Sequence, residues 1–208
     1  MTTTLNPDDI VGWNPDQVTL TDGNLTAQFT GGATYKRTII RAVHSVWLQK
    51  VYWEFDADFC GSFGDMGPCF ATAAATDDPE LLDDIRLKQG GQVISNQSYL
   101  GFGNTWGTGA KVGIAGDYVN NLYWYTVNGT VWNGVAEANP STGVGGFTFP
   151  APSVPVFPAI FMTCDQPSDS DKATVRFSRS SMVYAMPEGF EEVGPLAIVS
   201  RARSYLID

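Results

Sequence analysis

From Val112 to Gly134 the chain reads VGIAGDYVNNLYWYTVNGTVWNG, and this stretch limits the fold more than any other. Leu122 through Val127 are all aromatic, β-branched or leucine, the residue types that suit a pleated, half-buried surface. The following Asn128-Gly129 is the dipeptide that takes positive φ at both centres of a type I′ turn. Two strands, a tight hairpin and a third strand returning through Thr130, Val131 and Trp132 are therefore expected. Alternation puts Tyr123, Tyr125 and Val127 on one face and Leu122, Trp124 and Thr126 on the other. Since both faces are apolar or aromatic, the hairpin belongs inside a sandwich or beneath covering loops.

The rest of the chain agrees with an all-β fold. Its 22 glycines and 12 prolines are spread throughout, which favours short strands and turns over long helices. At 208 residues a single β-sandwich domain is expected. Residues 1–12 form a polar lead, and the Asn6-Pro7 and Asn14-Pro15 steps favour turns. VTLTDGNLTAQFT alternates around Asp22-Gly23 as a second hairpin, and TYKRTIIRAVHS reads as a strand near a sheet edge. In WLQKVYWEFDADF, Trp53, Phe55, Ala57 and Phe59 share one face, with Glu54, Asp56 and Asp58 on the other. One short helix is expected, capped by Asp77 or Asp78, carrying Leu81, Leu82 and Ile85 on one side and stopped by Gly90-Gly91. GFGNTWGTG, from Gly101 to Gly109, reads as an exposed loop bearing Trp106.

Charge and cysteine usage exclude several function classes. The net charge is -10 with 12 Lys+Arg, so a phosphate backbone is repelled and no nucleic-acid partner is expected. Cys60, Cys69 and Cys164 are odd in number and show no CxxC spacing; free thiols are the preferred reading over a Cys60–Cys69 bridge. With no basic region leading into an apolar run, and no run of 18 apolar residues, neither a signal segment nor membrane insertion is expected.

Seven segments in order carry a family resemblance: YWEFDADF, MGPCFATAAATDD, SYLGF, KVGIAGDYVNNLYWYTVNGTVWNG, VPVFPAIF, ATVRFS and MPEGF. Together they resemble the SPRY domain, in the version that recurs in tailed-bacteriophage structural proteins. WNPDQVTLTDGNLTA and NGVAEANPSTGVGG match that phage pattern too. The resemblance implies a concanavalin-like antiparallel sandwich over residues 13–190, whose loops bind a partner and which carries no catalytic apparatus. It has no counterpart for the tail, residues 191–208, which stands as a candidate docking segment. Animal members place partner specificity in loops at one end of the sandwich, and none of those contact residues finds a motif match here.

Several constellations compete with plainer readings. Glu54, Asp56 and Asp58, spaced by two, put three carboxylates on one face with neighbours roughly 6.5–7 Å apart. This layout resembles the E-x-D-x-E strand of laminarinase-type glycoside hydrolases, whose retaining chemistry needs two carboxyls at roughly 5–5.5 Å. The preferred reading is a solvated outer face. His44 is the only histidine, in the apolar context VHSVW with no nucleophile motif beside it. Asp165, Asp169 and Asp171 carry the oxygen ligands of a hard-cation site but lack the EF-hand glycine and closing glutamate, which favours a solvated loop. Tyr99, Asn104, Trp106 and Trp132 are the candidate contacts, because a loop-borne aromatic stacks on a sugar face or anchors a protein. For Trp132 the plainer reading, a plug at the sandwich edge, is preferred.

The expected function is a non-enzymatic module of a phage virion, made in the host cytoplasm and present in several copies or as a homo-oligomer. It would bind a host-surface glycan or protein, or a neighbouring virion protein, without cofactor or metal. The alternatives are a glycoside hydrolase using Glu54, Asp56 and Asp58, and a pure assembly protein docking through its tail.

Overall fold

The computed structural model describes residues 2–12, 15–30, 36–61, 65–72, 85–95, 98–164 and 170–195. Its strands, in chain order, are β1 (Leu5–Gly12), β2 (Val18–Thr21), β3 (Thr26–Thr30), β4 (Lys36–Ala42), β5 (Lys50–Phe59), β6 (Asp65–Thr72), β7 (Ile85–Leu87), β8 (Gln92–Ser95), β9 (Ser98–Phe102), β10 (Lys111–Asp117), β11 (Leu122–Val127), β12 (Phe147–Thr148), β13 (Val156–Cys164), β14 (Ser170–Arg176) and β15 (Glu191–Glu192). One sheet runs β1-β4-β13-β6-β7-β8-β9 and the other β12-β11-β10-β5-β14-β3-β2. Pairing is antiparallel except for β15, which lies parallel to β5. The two sheets stack as a sandwich, and their facing residues, among them Phe29, Ile40, Trp53, Phe55, Phe70, Ile114, Tyr123, Tyr125 and Ile160, form one core. Trp53 packs edge-on to Phe70 at 6.1 Å, an arrangement that suits opposed ring quadrupoles.

The central hairpin is β10–β11, with Asp117 opposite Leu122. Asp117 accepts hydrogen bonds from the Val119 and Asn120 N–H groups, at 3.0 and 2.9 Å, which sets the turn. Tyr123, Tyr125 and Val127 enter the core as the alternation requires. Trp124, on the opposite face, is fully buried beneath Ala138 and Phe190, so neither face meets water. Asn128 and Gly129 both take positive φ, 53° and 66°, as a type I′ turn demands.

The third strand of that hairpin does not form; only a single bridge joins Thr126 to Trp132. Asn133 takes its place. Its side-chain oxygen accepts from the Tyr125 N–H at 2.9 Å, and its Nδ2 donates to the carbonyls of Tyr123 and Gly145. One buried amide, held at φ 50°, thus occupies the edge positions that another backbone would fill.

Three boundaries differ from the sequence expectation. The N-terminal lead is not a string of turns: it forms β1, paired to β4, with the Asp9 carboxylate accepting from the Arg41 guanidinium. The C-terminal limit moves outward, because Glu191 and Glu192 pair with Val51 and Tyr52 and Val193 is buried. Residues 196–208 lie outside the described residues. Of the expected helix, residues 77–84 also lie outside them, while Ile85, assigned to its apolar side, is in strand β7 opposite Phe70 and Ser95. A β-branched side chain on the core face serves β7 directly, and Gly67 lets the Leu87 carbonyl approach to 2.1 Å of where a Cβ would stand. No disulfide joins Cys60 to Cys69. Among the described residues no helix is long and apolar enough to cross a membrane.

Candidate functional site

Strand β5 brings Glu54 and Asp56 to the outer face of its sheet, but that face is not solvated there, contrary to the sequence reading. Residues 178–193 fold back across it as a clasp. Glu54 is fully buried and accepts three hydrogen bonds: from the Tyr52 hydroxyl at 2.9 Å, the Val183 N–H at 2.7 Å and the Tyr184 N–H at 2.8 Å. Burial and this carboxylate push the Tyr52 hydroxyl well above the usual tyrosine value. Asp56 is buried too, and its Oδ2 accepts from Lys111 at 2.7 Å and from Arg176. Only Asp58 is exposed, accepting from Thr174 Oγ1 at 2.7 Å. The three carboxylates therefore act as anchors with different partners, and the alternation that exposed them in sequence could not register a cover supplied from residues 178–193.

Burial alone would raise the Asp56 carboxyl, but the hydrogen bonds from Arg176 and Lys111 outweigh it and hold the group below its ordinary value of 3.8. Asp117 is lowered in the same way against burial, by Asn120 and Lys50. The unfolded chain then binds more protons between the folded and unfolded values, so stability is intact above about pH 4 and falls as pH drops through the folded value. Asp56→Asn is expected to flatten the acid limb of the stability profile, read by urea unfolding between about pH 5 and 2. An unchanged slope would remove Asp56 from that role.

His44 and Asp171 have partners within the fold. His44 lies in the bend after β4 with Nδ1 2.9 Å from Thr3 Oγ1. Because Thr3 donates its own proton to the Val193 carbonyl at 2.6 Å, His44 Nδ1 is the donor here, and burial holds the imidazole below its usual value. Asp171 is buried and accepts from the Gly61 N–H at 2.9 Å, so it is not part of a solvated loop. Asp165 and Asp169 lie outside the described residues, among which no three metal-binding side chains cluster.

The exposed candidates gather at the rim built by β9, residues 103–105 and the turn 128–131. In β9, Tyr99 pairs with Ile94 but Gly101 pairs with Val93, leaving Leu100 as an extra, bulged residue. Regular alternation would send Tyr99 and Phe102 to opposite faces. The bulge resets the phase, and both rings emerge, 52% and 61% exposed, edge to face at 4.9 Å. Leu100 packs against the core instead. Two residues along the chain from Phe102, Asn104 lines an open groove of about 430 Å³ together with Thr105, Val127, Asn128, Thr130 and Val131.

The rim is held from behind. The Tyr125 hydroxyl lies 3.1 Å from the Gly91 carbonyl and 3.2 Å from that of Asn104. Gly103 sits against this hydroxyl, which would be 2.2 Å from a Cβ there. Asn104 Nδ2 donates to Thr130 Oγ1 at 3.2 Å and so ties one groove wall to the other, while Asn128 Oδ1 accepts from the Lys111 N–H at 2.9 Å.

Of the four sequence candidates, the structure brings Tyr99 and Asn104 to this rim. Trp106 is corrected: it is 8% exposed and packs edge-on to Phe55 at 5.4 Å, so it roots the loop in the core rather than projecting from it. The backbone explains this, since Gly109 and Ala110 hydrogen-bond to Ala57 and draw the loop onto β5. Trp132 is half-buried against Tyr52 at 6.3 Å, under the same clasp that covers Glu54. Phe102, Thr105, Asn128, Thr130 and Val131 are rim residues that sequence reasoning did not single out; for Phe102 the bulge hides the signal.

No protein-family model matches the chain, and no curated protein matches it. Solved structures do. The SPRY domain of human HERC1 superposes with a TM-score of 0.62 at 11% identity, over 83% of this chain and 96% of that one. A human SPRY domain gives 0.57 at 16% identity, over 77% and 94%. The TRIM65 PSpry domain gives 0.55 at 9% identity, over 86% and 90%. At these identities the likeness is one of architecture, and with the two antiparallel sheets described above it makes this chain a SPRY-like β-sandwich.

Proposed function

We propose that the chain is a non-enzymatic binding module of a phage or phage-like virion, displayed on head or tail, that grips a host-surface glycan or a neighbouring virion protein. The observation that carries the binding role is the exposed Tyr99–Phe102 pair, two residues along the chain from the groove residue Asn104, on a rim braced by Tyr125 and Gly103. Rings held in place before contact lose little freedom on binding, which is what makes a rigid scaffold a good gripping surface. Absence of catalysis is part of the proposal: Glu54 spends its oxygens on three donors and Asp56 sits between two cations, so neither is presented to a substrate. The phage setting rests on the ordered sequence segments.

A Tyr99→Ala/Phe102→Ala variant tests the rim. The wild-type chain is expected to be retained on bacterial cells or on purified virions, and the variant to be lost from both at an unchanged melting temperature. Equal retention would overturn the assignment of the rim. The setting is checked by neighbouring genes: a flanking portal, capsid or tail gene supports it, and an operon of metabolic enzymes overturns it.

A further inference from the structure

We infer that the occupant of this rim is an uncharged oligosaccharide; the inference deepens the binding-module reading and rests on the rim being the contact surface. Its starting point is the distribution of charge. The chain carries 34 ionisable Asp, Glu, Lys and Arg side chains (12 basic and 22 acidic), yet residues 89–110 contain none and residues 118–136 contain none. Every rim residue named above falls in one of these two stretches. They are separated in sequence by β10, and the Asn104–Thr130 hydrogen bond brings them together at the groove. The closest ionisable groups in sequence are those of Lys111, drawn away by its ion pair with Asp56, and of the exposed Glu137.

What remains at the surface is a specific set of groups. Two aromatic rings offer apolar faces, Asn104 offers its Oδ1, Asn128 its Nδ2 and Thr105 its hydroxyl, while the Thr130 hydroxyl is spent on the Val127 carbonyl and Asn104. A pyranose presents the matching pair of features, a C–H face that lies on a ring and hydroxyls at its perimeter that exchange hydrogen bonds with amides and threonines. Phe102 and Asn104 are two residues apart, at most about 7 Å along the backbone, so a sugar ring on Phe102 has its perimeter within reach of Asn104. The groove volume of about 430 Å³ falls in the range of small-ligand sites.

Charge selects against the other occupants. An anionic ligand would approach a chain of net charge -10 and find no cation in the rim to receive it. A cationic ligand would lose hydration without meeting a carboxylate there.

The test uses the whole chain in titration calorimetry with maltohexaose, laminarihexaose, chitohexaose and mannohexaose, and with polygalacturonate as the anionic counterpart. At least one neutral hexaose is expected to bind and polygalacturonate to be ignored. Phe102→Ala should weaken that binding about tenfold, the equivalent of one stacking contact, without moving the melting temperature. Thr105→Glu, which puts a charge into the rim, should weaken it as well. Silence across the four neutral sugars, preference for polygalacturonate, or full affinity in Phe102→Ala would each overturn the inference. If the sugars are silent while Tyr99→Ala/Phe102→Ala still abolishes retention on cells or virions, the sugar falls and the rim stands. If the sugars are silent and that variant is retained like wild type, both fall.

Discussion

Glu54→Ala is expected to destabilise the fold by about 3–5 kcal/mol, the range seen when one partner of a buried charged network is removed. The carboxylate is fully buried, and its loss strands the Tyr52 hydroxyl and the N–H groups of Val183 and Tyr184 away from water. Glu54→Gln separates shape from charge. Oε1 takes both Tyr52 and Tyr184 while Oε2 takes Val183, so a glutamine oriented to keep the first pair turns its NH2 toward a backbone N–H. It should lose roughly half as much as alanine does. Urea unfolding measures both variants. Protection of the Val183 and Tyr184 amides against hydrogen exchange should fall in both. A loss under about 1 kcal/mol in Glu54→Ala would mean that the clasp holds itself down by packing alone.

Trp106→Ala should be comparably damaging, at about 3–5 kcal/mol, because it empties a large volume against Phe55 that the sandwich cannot refill. For a chain of this size the melting temperature should fall by about 10 °C or more. Trp106→Phe, which keeps an aromatic body in the cavity, should cost clearly less. Binding lost in Trp106→Ala is therefore a consequence of unfolding, and it would be read as such by circular dichroism; the exposed Phe102 is the residue that separates recognition from stability. A Trp106→Ala protein with unchanged melting temperature would return this side chain to the surface.

The strands were legible where short-range alternation and burial agree. Trp53, Phe55 and Ala57 face the core in the phase read from WEFDADF, and Tyr123 and Tyr125 do so in the phase read from LYWYTV. Even the doubly covered hairpin followed from its aromatic content, although the sequence did not say that Ala138 and Phe190 provide the cover. What failed depends on contacts between distant residues. Glu54 and Asp56 alternate like a wetted face and are buried because the clasp amides reach Glu54 while Lys111 and Arg176 reach Asp56. The polar spelling of LNPDDIVG hides a strand, since Asp9 finds Arg41 only after β4 is alongside. In the rim, Tyr99 and Asn104 were named for their loop and strand-edge setting, while the exposure of Phe102 beside Tyr99 needs a one-residue slip in β9 that strict period-2 reading excludes. Trp106 lay inside a glycine-rich spelling that signals exposure, and the hydrogen bonds from the Gly109 N–H to the Ala57 carbonyl and from the Ala57 N–H to the Ala110 carbonyl reverse it.

The position of Glu54 also sets an order of events during synthesis. Its strand emerges early, but the amides that neutralise its burial, on Val183 and Tyr184, lie 129 and 130 residues further on. Until they arrive, Glu54 keeps the outer face of β5 hydrated, while Trp53, Phe55 and Ala57 on its inner face are free to join the core. Val183 and Tyr184 follow β14, itself seated between β5 and β3, so the outer face of β5 is sealed only late in translation.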